Sequence, residues 1–326
     1  MDALHRTSRW HRGSTKAVQL TPRDLTILSL LQRYRYASTE HIHAFVGGQK
    51  NRLQERLARL YREPNCYVNR PAQQRQYFNA NYRPILYELD RNGERALREQ
   101  GRFDDDAPVT WLNCRRDGRT GFAHAVMVCE ALASIELGIR GNTSLRFIGW
   151  PEIKGRIPEP ARHSKLLHCL RARISRQIKG ATQVCDKALA PDAVFGIAYQ
   201  GHGARFFALE CDRDSEPLRR SNLQQTSYTR KLLQYHQVLR ERAYHAQWGL
   251  PNLLVLSLTT SELHMRKIVA LAEEVCGDVR RFFLFKTMPS LGDFAPPEPP
   301  TGRLLTEAWL RPGLADFRLD QAMERG

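Results

Sequence analysis

The chain has 326 residues, 42% of them hydrophobic, which is enough to bury a large core and to form two domains. No apolar run approaches the length of a transmembrane helix, and no apolar segment follows the basic N-terminus, so neither a membrane span nor a secretory signal is expected. The seven cysteines form no C-x-x-C pair, which favours reduced thiols in a cytoplasm over disulfides or structural zinc. Phosphate-binding and dinucleotide-binding glycine motifs are absent.

The formal net charge of +16 is the strongest indication from composition. Residues 1–100 carry 18 Lys and Arg against 9 Asp and Glu, so less than a third of the chain holds more than half of the positive excess. This surplus predicts a polyanionic partner. We expect double-stranded DNA rather than a membrane, because no amphipathic anchor is evident. A generally basic proteome is the alternative explanation.

The N-terminal region begins with a basic, polar stretch, residues 1–18, that reads as a flexible arm. Thr21-Pro22-Arg23-Asp24 then combines an N-cap, a proline at the first helical position and an acid at the third, which predicts a helix start. A second short helix is expected from Ser38 to the Gly47-Gly48 pair, and a third from Gln49 to about Glu63. Three short helices of this kind suggest a helix-turn-helix.

The third helix and the segment after it supply the candidate DNA contacts. A leucine stripe would be buried, while basic residues repeat the same spacing one position earlier; a solvated charged face is the alternative. Residues 66–70 and 76–78 read as two strands of a wing, with Arg70 and Arg75 near its exposed tip. A further strand is expected at 85–89, followed by a helix ending at Gly101. We therefore predict a winged-helix domain over residues 19–103. The candidate DNA-binding residues are Lys50, Arg52, Arg56, Arg59, Arg70 and Arg75.

The C-terminal region follows a linker at about residues 104–118. We place one α/β domain at 119–290, then a Pro-rich linker and short C-terminal segment at 291–326. The expected elements are a helix at 122–138, a strand at 145–150, a basic stretch at 151–189 that is helical around 165–178, a hairpin at 191–212, a helix at 227–247, a strand at 253–258, a helix ending at Gly277 and a strand at 282–285.

The hairpin groups carboxylates at its open end. With the turn centred on His202, residues whose numbers sum to 404 would face each other, and strand alternation puts Asp192, Glu210 and Asp212 on one face. Like charges so close are destabilising unless a cation lies between them. The candidates are a divalent metal or a neighbouring Lys or Arg; acids that simply meet water are the alternative.

A Pro-Asp that opens one strand and a Glu-x-Asp that closes the next resemble the PD-(D/E)xK nuclease core. The version in the replication-relaxation family of plasmid and mobile-element proteins is the most similar, and the resemblance extends to the Asp-Arg-x-x-Glu run at 212–216 and to Lys231 and Tyr235. It implies a restriction-endonuclease-like mixed sheet flanked by helices. A class of conjugative relaxases pairs a winged helix with the same core, and the chain resembles that arrangement too.

The resemblance also implies a chemistry. Carboxylates of such nucleases hold Mg²⁺ or Mn²⁺ at the scissile phosphate, and a Lys two residues after the Glu assists. Asp212 stands at that lysine position here, so Lys231 on the next helix would have to supply the charge, with Asp192, Glu210 and Asp212 as metal ligands. An internal salt-bridge network around Arg213 is the alternative.

Three functions follow from these observations. The first is a DNA-binding protein that acts at an origin of replication or transfer of a plasmid or integrated mobile element. The second is a Mg²⁺-dependent nickase, and the third is a transcriptional regulator with a non-catalytic assembly domain. The possible partners include other replication or transfer proteins and further copies of the chain.

Overall fold

The computed structural model describes residues 8–103, 119–162, 164, 167–293 and 297–322. These residues form two compact units. The first unit contains the described residues up to 103 together with 119–133, and the second contains those from 134 onward. The predicted linker at 104–118 lies outside the described residues.

The first unit combines short helices with a three-stranded sheet. Its elements are α1 (Pro22–Tyr34), β1 (Ala37–Ser38), α2 (Thr39–Val46), α3 (Lys50–Tyr61), β2 (Val68–Asn69), β3 (Leu86–Leu89), α4 (Arg91–Glu99) and the first part of α5 (Arg119–Arg140). The sheet has the order β1-β3-β2 with antiparallel pairs. The predicted helix start is confirmed, because Thr21 and Asp24 form a capping box at α1.

The segment between β2 and β3 differs from the two-strand expectation. Residues 76–78 are not a strand: Ala72–Gln76 is a 3₁₀ helix, and β2 pairs with β3 instead. The cause is Gln74, whose buried side-chain amide exchanges two 3.0 Å hydrogen bonds with the backbone of Leu86 and so takes the place of a strand partner. A long loop therefore joins β2 to β3.

Residues 8–18, expected as part of a flexible arm, make defined contacts within the first unit. The amide of Thr15 donates to the Glu63 carbonyl at 2.7 Å, and the amide of Val18 donates to the side chain of Asn65 at 2.9 Å. The guanidinium of Arg12 binds Asp90 at 2.8 Å. Residues 1–7 lie outside the described part of the chain.

The second unit is built on a mixed five-stranded sheet flanked by helices. After the end of α5 its elements are β4 (Leu145–Ile148), α6 (Trp150–Arg156), α7 (Glu159–Arg162), β5 (Ile174–Ile178), β6 (Ala181–Cys185), β7 (Ala193–Tyr199), β8 (Gly203–Asp212), α8 (Tyr228–Arg240), α9 (Ala243–Trp248), β9 (Leu254–Thr259), α10 (Glu262–Cys276), β10 (Phe283–Thr287) and α11 (Arg303–Thr306). The sheet order is β10-β9-β8-β7-β4. β4, β7 and β8 pair antiparallel, whereas β8, β9 and β10 run parallel.

Two elements of this unit differ from expectation. The predicted helix around 165–178 is wrong where the structure describes it, because Ile174–Ile178 and Ala181–Cys185 form a separate β-hairpin. Lys179 and Gly180 turn that hairpin, both with positive φ. The helix predicted over 227–247 is interrupted, because Arg242 adopts a left-handed conformation between α8 and α9.

The β7–β8 hairpin has the predicted faces but a different register. Partner residue numbers sum to 402 rather than 404, as in the pairs Phe195↔Phe207 and Tyr199↔Gly203. Gly203, with a positive φ, already belongs to β8, so the turn is centred on Gly201. A shift of two leaves every side chain on its predicted face, because strand side chains alternate with period two.

The expectation that no apolar run approaches the length of a transmembrane helix is wrong for helix α5. Gly121–Arg140 is long and apolar enough to span a membrane by length and composition, with a mean hydropathy of 1.6. However, 83% of that stretch is buried inside the protein. Burial of this extent is what a core helix shows.

The C-terminal segment packs into the second unit. Trp309 is fully buried, and its indole donates to the carbonyl of Leu304 at 2.8 Å. The backbone of Leu310 pairs with Phe285 of β10, and the hydroxyl of Tyr199 on β7 donates to the carbonyl of Leu319. The described part of this segment is therefore bound to the sheet.

Candidate functional site

The carboxylate of Glu210 lies on the side of β8 that faces α8. Phe206 and Ala208 precede it on the same side of the strand and are fully buried in the core beneath α8. Glu210 continues that alternation, so its carboxylate enters the same interior and is only 3% exposed. A buried carboxylate requires compensation by hydrogen bonds or charge.

Helix α8 provides that compensation. The ammonium of Lys231 lies 2.9 Å from one carboxylate oxygen of Glu210, and the hydroxyl of Tyr235 donates to the other oxygen at 2.5 Å. Lys231 and Tyr235 are four residues apart, hence on one helical face, as the sequence predicted. Lys231 also lies 2.9 Å from Glu216. Both oxygens of Glu210 are thus engaged by side chains.

Asp212, two residues further along β8, organises the turn that follows the strand. One of its oxygens accepts hydrogen bonds from the backbone amides of Ser215 and Glu216 at 3.1 and 3.2 Å. The other oxygen lies 2.8 Å from Nε2 of His264. This turn brings Glu216 to Lys231. Within the described residues Lys231 is therefore the cation that bridges Glu210 and Glu216. Arg213, around which a salt-bridge network was the alternative, donates instead to the hydroxyl of Ser290 at 2.9 Å.

Asp192 is level with Glu210 at the start of the hairpin. Its backbone amide donates to the carbonyl of Leu209, and its carboxylate accepts a 2.8 Å hydrogen bond from the amide of Cys211. Its charge reaches Glu210, where it raises the pKa of that carboxyl. Asp192 is only partly buried, in contrast to Glu210 and Asp212.

The electrostatics of this cluster follow from its burial. Burial raises the pKa of Glu210 to about 7, in opposition to the positive charge of Lys231. Burial also disfavours the charge on Lys231, but the carboxylates of Glu210 and Glu216 outweigh that effect and raise the pKa of the ammonium well above its usual range. Burial and the adjacent Glu210 raise the pKa of Tyr235, which stays a donor. We call Asp192, Glu210, Asp212, Glu216, Lys231, Tyr235 and His264 the lysine-centred cluster.

The carboxylates of the lysine-centred cluster are held by protein donors. Both oxygens of Glu210 and both oxygens of Asp212 have protein partners, whereas Oε1 of Glu216 is buried without a hydrogen-bond partner. Within the part of the chain that the structure describes, no group of three or more His, Cys, Asp or Glu side chains could hold a metal ion. Here the ammonium of Lys231 lies between the carboxylates of Glu210 and Glu216.

His264 is the member of the cluster that sequence reasoning missed. It lies in the first turn of α10, where Ser261 caps the helix and accepts a hydrogen bond from the His264 amide. A signal existed, because β8 and β9 are parallel neighbours in which Asp212 pairs with Thr259. The turns after two parallel strands meet at one edge of the sheet, so the helix that follows β9 begins beside Asp212.

The predicted DNA-contacting residues on α3 fall into two groups. Arg52 and Arg59 are exposed, opposite the buried stripe of Leu53, Leu57 and Leu60. Lys50 is also exposed and lies 2.8 Å from Glu40. Arg56 differs, because its guanidinium donates two hydrogen bonds, at 3.0 and 2.6 Å, to the buried carboxylate of Asp24.

Arg70 and Arg75 are not a pair at an exposed tip. Arg70 is buried, stacks on the rings of Tyr61 and Tyr87, and donates to the hydroxyl of Tyr87. Arg75 is exposed and donates to the carbonyl of Trp10 at 3.1 Å. The tip prediction therefore fails for Arg70, because aromatic side chains draw its guanidinium into the unit.

Comparison with known proteins adds the family. Residues 28–253, which are more than two thirds of the chain, match the replication-relaxation family. Neither the curated proteins nor the solved structures gave a match. The matched range begins within α1 and contains α2 to α4 of the first unit, and it contains Asp192, Glu210, Asp212, Lys231 and Tyr235 of the second. The chain therefore belongs to the replication-relaxation family.

Proposed function

We propose that the protein binds double-stranded DNA at an origin of replication or transfer of a plasmid or integrated mobile element. Membership in the replication-relaxation family suggests a role in the replication or transfer of such elements. Binding of duplex DNA, and the part of each unit in it, are our proposal.

The observation that carries the proposal is the exposed basic face of α3. The first unit has the element order of a winged helix: three helices interleaved with a short strand, then two strands that pair with each other. In that arrangement the third helix is the one that enters the major groove. Arg52 and Arg59 stand on the exposed side of α3, where guanidinium groups can reach base edges and phosphates.

The second unit supports a gripping or assembling role rather than a hydrolytic one. The order of the PD-(D/E)xK core is a helix, three antiparallel strands, a further helix and a parallel strand, as in α5, β4, β7, β8, α8 and β9. Lys231 on α8 lies 2.9 Å from Glu210, so it can supply from the helix the charge that the strand position of Asp212 lacks. However, the described residues contain no group of three or more His, Cys, Asp or Glu side chains that could hold a metal ion. A nickase stays the second candidate, favoured by the Lys231–Glu210 contact alone.

The experiment is a DNA-binding titration by fluorescence anisotropy across a series of salt concentrations. Arg52→Ala and Arg59→Ala should each weaken duplex binding, and each lost phosphate contact should reduce the salt slope by about 1. Arg266→Ala is the matched control, because Arg266 is an exposed helical arginine of the second unit, paired with Glu262. Wild-type protein without affinity for duplex DNA at low salt would overturn the proposal.

A further inference from the structure

The loop between the 3₁₀ helix and β3 presents two aromatic rings to solvent. We call residues 77–84 the aromatic loop. Tyr82 is 92% exposed and Phe78 is 60% exposed. In the described part of the chain they are the only aromatic members of the exposed large hydrophobic side chains. Single exposed apolar residues are ordinary, but two aromatic residues in one short loop form a feature that a partner can cover.

The aromatic loop is held in place by its backbone and its neighbours. Tyr77 at its start is buried and packs near Phe122. The guanidinium of Arg9 donates to the carbonyls of Asn81 and Arg83 at 2.8 and 3.0 Å. Successive turns close the loop, with backbone hydrogen bonds from Ala80, Tyr82 and Arg83. The exposed rings are therefore carried on an anchored loop, which reduces the entropy lost when they bind.

The charge around the aromatic loop identifies the partner. Residues 64–87 contain three arginines, of which Arg70 is buried, and no acidic residue, and the described residues 8–23 contain four basic residues and no acidic one. Both segments lie in the first unit, where Arg75 donates to Trp10 and Arg9 to the loop. A positively charged surface with exposed aromatic rings is the arrangement that binds single-stranded nucleic acid, because every base has a face on which a ring can stack.

We propose that the aromatic loop stacks Tyr82 and Phe78 on unpaired bases beside a DNA duplex. The preferred ligand of the first unit would then be a junction between duplex and single-stranded DNA. This inference rests on the proposed function, because the duplex part of the junction is the part that α3 would bind. In this proposal α3 binds the duplex DNA, and the aromatic loop of the same unit binds the single-stranded DNA.

The experiment compares two DNA probes of identical duplex sequence. One is blunt, and the other carries a single-stranded oligo(dT) extension with 2-aminopurine at the first unpaired position. Wild-type protein should bind the extended probe more tightly and quench its fluorescence by stacking. Tyr82→Ala should weaken binding to the extended probe by roughly 5- to 100-fold and abolish the quench, with blunt-duplex affinity unchanged. Tyr82→Phe, which keeps the ring, should behave as wild type.

Phe78→Ala tests the second ring, and Leu263→Ala is the control, because Leu263 is an exposed apolar residue of the second unit. The inference would be overturned if Tyr82→Ala reduced the affinity for both probes equally. It would also be overturned if the wild-type protein bound the extended probe no more tightly than the blunt one. In both cases the wild-type protein still binds the blunt duplex, which distinguishes these results from failure of the proposed function, in which the wild-type protein binds neither probe.

Discussion

The ammonium of Lys231 and the carboxylate of Glu210 lie 2.9 Å apart, although one belongs to a helix and the other to the strand that the helix covers. Glu210 is buried, and the side chain of Lys231 is only 19% exposed. This contact joins α8 to β8 through charge, next to the apolar contacts that Phe206 and Ala208 of β8 make in the core. It therefore holds the position of α8 as well as the charge of the cluster.

Lys231→Met should destabilise the second unit. The substitution keeps the length of the side chain but leaves Glu210 and Glu216 without their cation, and removal of one partner of a buried pair costs about 3–5 kcal/mol. The pKa of Glu210 is raised to about 7, so the loss should be larger at pH 8 than at pH 5, where this carboxyl binds a proton. Hydrogen exchange of β8 peptides across a urea series measures the effect.

The control for this experiment is Lys267→Met on α10, an exposed lysine whose loss should change stability by less than about 0.5 kcal/mol. Addition of Glu210→Gln to Lys231→Met should recover part of the stability, because the buried charge is then removed with its partner. A Lys231→Met protein as stable as wild type at pH 8 would contradict the proposed role of this contact.

Sequence patterns predicted the elements whose signals are local. The capping box at Thr21 and Asp24 and the turn after Tyr199 both depend on residues within a few positions of each other. The hairpin register was two residues off, but its faces were right, because a shift of two preserves alternation. Lys231 was expected on the helix after the hairpin, and only packing could decide that its ammonium reaches Glu210.

The errors came from distant partners. Residues 76–78 look like a strand, but the amide of Gln74 satisfies the backbone of Leu86 from twelve positions away. Arg70 reads as an exposed wing residue until Tyr61 and Tyr87 are brought to it by the fold. His264 is brought to Asp212, 52 residues earlier in the chain, only by the parallel pairing of β8 and β9, so its position depends on the sheet topology.

Arg56→Ala should separate structure from DNA contact on α3. Arg56 binds the buried carboxylate of Asp24, which also closes the capping box of α1, and the pair lowers the pKa of Asp24 despite burial. Its loss should reduce the stability of the first unit by about 1–3 kcal/mol. Arg52→Ala, on the exposed side, should leave stability within about 0.5 kcal/mol. Hydrogen exchange of α1 peptides across a urea series distinguishes the two variants, and equal effects would refute the separation.

His41 should make the first unit acid-sensitive. Burial lowers the pKa of His41 to about 4, below the ordinary value of 6.5. A depressed pKa means that stability is complete above pH 6.5 and is lost as the pH falls toward 4, by at most about 3 kcal/mol. His41→Asn keeps a polar group that can meet Ser38 but does not titrate. Urea midpoints of the α2 peptides at pH 7 and pH 4.5 should differ less in the variant, and identical pH dependence in both proteins would refute the assignment.

Trp309→Ala should destabilise the second unit even though Trp309 follows a Pro-rich segment. The indole is fully buried, and the backbone around it pairs with Phe285 and Phe317. Truncation of a buried tryptophan costs about 3–5 kcal/mol. Leu314→Ala, at an exposed position of the same segment, should cost less than about 0.5 kcal/mol. Hydrogen exchange across a urea series measures the effect. If Trp309→Ala lowered the stability of the C-terminal peptides alone and left the exchange of the β10 peptides unchanged, the segment would not support the sheet.

Supercoiled plasmid should stay supercoiled when it is incubated with the protein and Mg²⁺ or Mn²⁺. A metal-dependent nickase needs carboxylates grouped around the ion, whereas within the described residues no group of three or more His, Cys, Asp or Glu side chains could hold one. Glu210 instead holds Lys231 and Tyr235, and Asp212 holds His264 and two backbone amides. Agarose electrophoresis with a plasmid that carries the element's own origin is the measurement. Open circles that disappear with Asp192→Ala would establish the nickase instead, because Asp192 is the partly exposed acid level with Glu210. Open circles that persist in Asp192→Ala would indicate a copurified nuclease and leave the expectation standing.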